Sequence, residues 1–336
     1  MTKLTAGVQA GDLQVDRLSA PYRKRLVLAG DSFAEWLVAR GQCPSAVLSS
    51  SKSAIDALMA FVQHCYETGG ALWLATHAVL AVQTSNRSLH GRLRPAWDSI
   101  QAWKLQTPVH SRVPMPRIIL EALRIFAVLA AVELDRGQSQ AWWRFAALLG
   151  AGFWGLLRPK ELKGLFRKHV RVPGPASLTI VDPQNRAYMG RLQARTVRDG
   201  FSVRWLQWLV ADCSSETALW GRGSDLFGKL LGTALAALGL QNLGITPASL
   251  RAGGATHLLE TGVPVANLRF QGAWASERSM SSYLQEAEAA ATMLDMSVAS
   301  SQTVRWILLR YSRCREPPSI ALKLLAPWTP EPSWKA

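Results

Sequence analysis

The chain has 336 residues, of which 49% are hydrophobic and 18% charged, so it holds ample material for packed cores, and disorder over most of its length is excluded. Lys and Arg number 38 against 23 Asp and Glu, a formal charge of +15, which points to a polyanionic partner. The longest apolar run, 145–157, is shorter than the roughly 20 residues of a membrane-spanning helix, and residues 1–12 carry no apolar core of a signal peptide.

From Tyr22 to about Gln106 the pattern is helical throughout. Ile55, Leu58, Met59, Val62 and Tyr66 recur at three- and four-residue steps and stop at Gly69 and Gly70. Further helices are predicted over 72–82 and 93–105, the second with Trp97 and Trp103 on its apolar side. Arg87, Arg92, Arg94 and Lys104 punctuate this region. Each alone reads as a solvated side chain, and together they suit a phosphate-contacting surface. The segment 107–116 has three prolines and no periodicity, so it reads as an extended linker. The predicted division is a helical domain over 20–110, a second domain over 115–300, and a C-terminal helix with a Pro-rich, loosely held tail over 301–336.

The second domain opens with predicted helices over 116–135 and 139–156, the latter ending at Gly155. Between His169 and Arg204 the period changes to that of strands, predicted over 169–172, 178–181 and 187–197 and separated by Pro173-Gly174-Pro175, Asp182-Pro183 and Asp199-Gly200. Helix resumes after Trp205. One helix is predicted from Ser224 or Asp225 to Gly239, and another from Thr246 as N-cap, with Pro247 in its first position, to Gly262. A last long helix is predicted from near Ser276 into the Ala-rich stretch 287–291. The fold class is therefore mainly α with a small β-sheet, in two domains. Segment 304–313 is apolar and basic; it either packs on a neighbouring protomer or folds back on its own domain.

Cys43, Cys65, Cys213 and Cys314 are scattered, without metal-ligand spacing, and read as reduced thiols. No phosphate loop, zinc signature, nucleophile elbow or dinucleotide motif occurs. What does occur is an ordered set of boxes. Leu156-Leu157-Arg158-Pro159-Lys160-Glu161-Leu162 follows a helix. Far downstream stands Ala248-Ser249-Leu250-Arg251 with Gly253-Gly254, a pair that disfavours helix and calls for a packing reason. Gly272-Ala273-Trp274 comes next, and Tyr283 lies nine residues beyond Trp274.

This order resembles the catalytic domain of the tyrosine recombinases, or phage integrases, over about 115–295, and the helical first domain is similar to that family's core-binding domain. The resemblance implies a two-domain clamp on double-stranded DNA, assembly as a homo-tetramer on two sites, and strand cleavage through a 3′-phosphotyrosyl bond. It implies Arg158 and Arg251 as guanidiniums holding the phosphate bidentately, Tyr283 as nucleophile and Trp274 as an indole donor. Glu161 supports Arg158; Arg87, Arg92, Arg94, Lys104, Arg186 and Arg195 are candidate DNA contacts. No metal, organic cofactor, small-molecule substrate or membrane is implied, and the location is intracellular with access to DNA, the nucleus in a eukaryote. Two positions depart from the pattern. Ala248 stands where the family has histidine, and Gln184 falls nearest the family's lysine; neither is an acid or a base. Arg186, Arg195 or Arg198 supplies charge there but is a poor proton donor. Three readings stay open: a recombinase that cuts and rejoins DNA, a relative that binds without cutting, and a helical protein-interaction module whose charge is incidental.

Overall fold

The computed structural model describes residues 20–107, 113–134, 136–172, 174–181, 183, 185, 189–190, 192–284, 286–312 and 316–318. Much of the proline-rich segment, together with Gln184 and Arg186, lies outside those residues, as does the chain beyond 318.

The chain divides into two compact units, Met1–His110 and Ser111–Ala336. In the first, helices α1 (Ala20–Ala39), α2 (Pro44–Leu48), α3 (Ser51–Glu67), α4 (Leu72–Ser85) and α5 (Arg94–Gln106) close around Phe33, Leu37, Leu58, Phe61, Val79, Ile100 and Trp103. Cys43 supplies no side-chain cap at the start of α2, where Pro44 sets the helical φ in advance. Arg87, Arg92 and Arg94 are exposed and Lys104 is half-buried; Arg87 opens the short turn after α4, Arg92 and Arg94 lie at the start of α5, and Lys104 lies in its last turn.

The second unit is built on an apolar helix pair, α6 (Arg117–Glu133) and α7 (Arg136–Trp154). After α7 come α8 (Pro159–Lys163) and an antiparallel sheet of β1 (Val170–Arg171), β2 (Ala176–Val181) and β3 (Leu192–Val197), in that order across the sheet. Helices α9 (Gly200–Val210), α10 (Ser224–Ala237), α11 (Ser249–Glu260), α12 (Val265–Gly272), α13 (Glu277–Ser281), α14 (Glu286–Leu294) and α15 (Val298–Arg310) complete it. The fold is thus mainly helical with one small sheet. The core joins α6 and α7 residues such as Leu123, Phe145 and Leu149 to Leu178, Trp205, Phe227 and Leu250. The buried glycines let α11 approach the chain ahead of α6 and the end of α7 closely. A Cβ on Gly253 would run into the backbone carbonyl of Met115, and one on Gly254 into that of Phe153.

Four expectations are corrected. Asp199 is not part of a free turn; its side chain accepts from the Ser202 N–H at 2.8 Å, so α9 starts at Gly200 rather than after Trp205. The helix carrying Arg251 starts at Ser249, not next to Thr246, because the Thr246 N–H donates to Ser249 Oγ at 3.0 Å ahead of the helix. The expected long helix after Ser276 is two helices: the serine-rich stretch bends after Ser281, the Tyr283 N–H returns to the Met280 carbonyl at 2.8 Å, and α14 begins only at Glu286. Glu316, at the head of the expected loose tail, is held by a two-pronged ion pair with Arg204 at 2.8 and 2.7 Å. Helix α15 folds back on its own unit, with Val304 and Ile307 buried in that core.

Candidate active site

Helix α7 ends in a six-residue return: the Leu157 N–H bonds the Gly152 carbonyl at 3.0 Å and the Leu156 N–H bonds Phe153 at 3.3 Å. Helix α12 ends the same way, with Trp274 N–H to Arg269 O and Ala273 N–H to Phe270 O, both at 3.0 Å. In each return the left-handed residue is not glycine. Leu156 has φ 51° and Ala273 has φ 46°, and they are the two non-glycine residues with positive φ among those described. Glycine stands one position earlier in both, and at Gly272 it does so because a Cβ would enter the Trp274 ring.

Arg251 ties these two helix ends together. From the first turn of α11 its Nη1 donates to the Leu156 carbonyl and its Nη2 to the Gly272 carbonyl at 2.8 Å. The side chain is 1% exposed. Its guanidinium lies 4.3 Å from the Trp274 ring centroid and 5.2 Å from that of Tyr283, and the two rings are 5.4 Å apart. Tyr283, half-buried, packs with Leu156, Ala255, Leu268, Trp274 and Met280, and its carbonyl accepts from Thr256 Oγ1 at 3.2 Å. Four boxes far apart in the chain therefore meet.

Arg158 enters from the other side as the residue before α8, with Pro159 in the first helical position. Glu161 holds it twice: Oε2 accepts from the Arg158 backbone N–H at 2.9 Å and Oε1 from Nη1 at 2.7 Å. Glu161 Oε2 also stands 4.0 Å from Arg251 Nη1, so one buried carboxylate lies beside both guanidiniums.

Arg195 is 1% exposed, on the inner face of β3, and is part of this cluster rather than an exposed groove contact. Burial pushes its pKa down, with Glu161 opposing and Arg158 reinforcing the shift. Burial likewise lowers Arg251, with the Arg158 charge acting in the same direction and Glu161 against it. A guanidinium still stays protonated near neutrality. Among the described residues, three guanidiniums here face the one carboxylate of Glu161. Among the described residues, Arg251 Nε, Arg195 Nε and Trp274 Nε1 are buried with no hydrogen-bond acceptor. Buried donors normally have partners, so this cluster retains hydrogen-bonding capacity that the described residues leave unmet.

Ala248 caps α11 with a methyl group and offers no proton chemistry. Among the described residues no group of His, Cys, Asp and Glu is arranged to hold a metal ion. Sequence reasoning missed Asn185 and Gln193, which join the hairpin to this cluster; the alternation of β3, with Gln193, Arg195 and Val197 inward, is the signal that was available.

No family model and no curated protein sequence matches the chain. Solved structures do. The integrase of the Tn1549 transposon in complex with transposon right end DNA matches at 13% identity and TM-score 0.52, over 84% of this chain and 98% of that one. The same integrase in complex with circular intermediate DNA matches at 12% identity and TM-score 0.50, over 72% of this chain and 85% of that one. The chain has the tyrosine recombinase fold. Within that fold, the elements bearing Arg158, Arg251, Trp274 and Tyr283 converge here in one packed, cationic cluster.

Proposed function

We propose that this protein binds duplex DNA and holds one backbone phosphate against Arg158 and Arg251, with Tyr283 as the nucleophile of a recombinase or integrase reaction. The observation that carries the reading is the cluster itself: Arg158 and Arg251 beside the one carboxylate of Glu161, with the Arg251 guanidinium against the rings of Trp274 and Tyr283. A phosphodiester supplies negative charge beside these guanidiniums, of which Arg158 is the more exposed, and that charge grows in the pentacoordinate transition state, where preorganised guanidiniums act most strongly. The Tyr283 oxygen attacks phosphorus and loses its proton, a 3′-phosphotyrosyl bond forms, and the 5′-oxygen leaves and takes up a proton. Attack by that 5′-hydroxyl on the phosphotyrosyl bond reverses the step and rejoins DNA without a cofactor. The excess of basic residues, including Arg87, Arg92, Arg94 and Lys104 on the first unit, fits the same partner. Assembly as a tetramer on two sites belongs to the same reading. No helix among the described residues is long and apolar enough to cross a membrane.

A second reading, a relative that binds DNA without cutting it, is favoured by Ala248. Acid–base help is worth about 10²–10⁴-fold, and alanine provides none. A duplex nicked so that the cleaved fragment diffuses away distinguishes the two. A denaturant-stable protein–DNA adduct that vanishes in Tyr283→Phe supports cleavage. Saturable binding without an adduct supports the second reading. Absence of salt-sensitive binding overturns both.

A further inference from the structure

Between Arg195 and the turn before Trp274 runs a directed chain of side-chain hydrogen bonds. Arg195 Nη2 donates to Gln193 Oε1 at 2.8 Å. Gln193 Nε2 donates to Asn185 Oδ1 at 3.0 Å and to the Gly190 carbonyl at 3.2 Å. Asn185 Nδ2 donates to the Ala273 carbonyl at 2.6 Å. Both amides are fixed in orientation by the ends of the chain. A guanidinium only donates and a peptide carbonyl only accepts, so reversing either amide would set like groups against each other. Every bond runs in the same sense away from a cation, the arrangement in which neighbouring hydrogen bonds strengthen one another.

The carbonyl at the far end is that of Ala273, one of the two strained left-handed residues, directly before Trp274. Non-glycine residues in that conformation are strained and persist where surrounding contacts over-determine them. Leu156, the other strained residue, is braced by Arg251; Ala273 is braced by Asn185. The two braces secure the two helix ends that frame the cluster.

We propose that Asn185 is a positioning residue: it holds the Ala273 turn, so that the Trp274 indole stays seated against Arg251 and Tyr283. This rests on the phosphate-site reading for its consequence in catalysis, but not for its geometry. The test uses the full chain labelled with 5-fluorotryptophan, the Trp274 resonance being assigned by its loss in Trp274→Phe. In Asn185→Asp the carboxylate still accepts from Gln193 but faces the Ala273 carbonyl without a proton to donate. In Asn185→Ala the chain is cut at a half-buried loop position where truncation leaves the core intact. The Trp274 fluorine signal is expected to shift or broaden in both variants while the other tryptophan signals stay in place. An unchanged Trp274 signal in Asn185→Ala overturns the proposal. With DNA, adduct formation at saturating protein should fall about tenfold or more in Asn185→Asp, as expected of sub-ångström misplacement, while DNA affinity is retained. If wild-type protein forms no adduct, the cleavage reading fails and the fluorine signal alone still decides the role of Asn185.

Discussion

Nη1 of Arg251 stands 4.0 Å from Oε2 of Glu161, close enough for attraction but too far for a hydrogen bond, while the other carboxylate oxygen is fully engaged by Arg158 at 2.7 Å. Glu161 therefore screens two guanidiniums from each other without neutralising both. Its side chain is 5% exposed, so the surrounding medium does little of that screening.

Removing this carboxylate should be severe. Glu161→Ala leaves Arg251 buried among like charges and frees the Arg158 N–H, and removal of one partner of a buried pair costs about 3–5 kcal/mol. Urea unfolding is expected to show a loss of that order, with Glu161→Gln losing less. A change below about 1 kcal/mol in the alanine variant would mean that the carboxylate is not the counter-charge of the cluster.

Gly254→Ala should also destabilise, by about 1–3 kcal/mol or more, since the added methyl meets the Phe153 backbone rather than a yielding side chain. The check is thermal melting. Ala255→Gly, one position on, removes a buried methyl and is expected to destabilise through a small cavity and added chain freedom instead, without displacing α7.

Stability should rise with pH through the histidine range. His257 is pushed below the ordinary value by burial and by the charge of Arg117, and His169 by burial and Lys168. As pH falls below about 6.5 the unfolded chain takes up these protons before the folded one does, so stability is full above that value and declines beneath it. Melting temperatures between pH 8 and 5.5 test this. The double variant His169→Gln, His257→Gln should show a flatter profile; an identical slope would assign the effect elsewhere.

The first unit offers a separate test. Arg87, Arg92 and Arg94 are exposed. If each meets a phosphate, replacing one by alanine should weaken binding to all duplex sequences alike and lower the slope of log affinity against log salt by about one unit. Anisotropy titrations of several unrelated duplexes at graded salt would reveal it. An unchanged slope in all three variants would remove this face from the DNA interface.

What the sequence could and could not disclose follows from the kind of signal involved. The helical period of 55–66 and the alternation near β3 are written in single residues, and both elements are present. The meeting of Arg158 with Arg251 was legible only as an ordered set of boxes, since nothing local says that α8 and α11 share a carboxylate. The bend between α13 and α14 was missed because Ser and Ala both tolerate helix. The left-handed Leu156 and Ala273 were hidden by Gly155 and Gly272, which stand at the turns for close packing and not for positive φ. Asn185 was invisible because its partner, a backbone carbonyl, leaves no mark in sequence.

The central claim is that Arg158 and Arg251 present a phosphate to Tyr283. The most direct measurement uses duplex DNA with sulfur in place of the 5′-bridging oxygen at the cleavable phosphate. A thiol leaving group with a pKa of about 8.5 departs without an acid, so the proton donor missing at the family's lysine position, nearest Gln184, no longer limits the step. A covalent adduct is predicted for the wild-type chain, lost in Tyr283→Phe and strongly reduced in Arg158→Ala and Arg251→Ala. No adduct under saturating binding, or an adduct that survives Tyr283→Phe, would contradict the account.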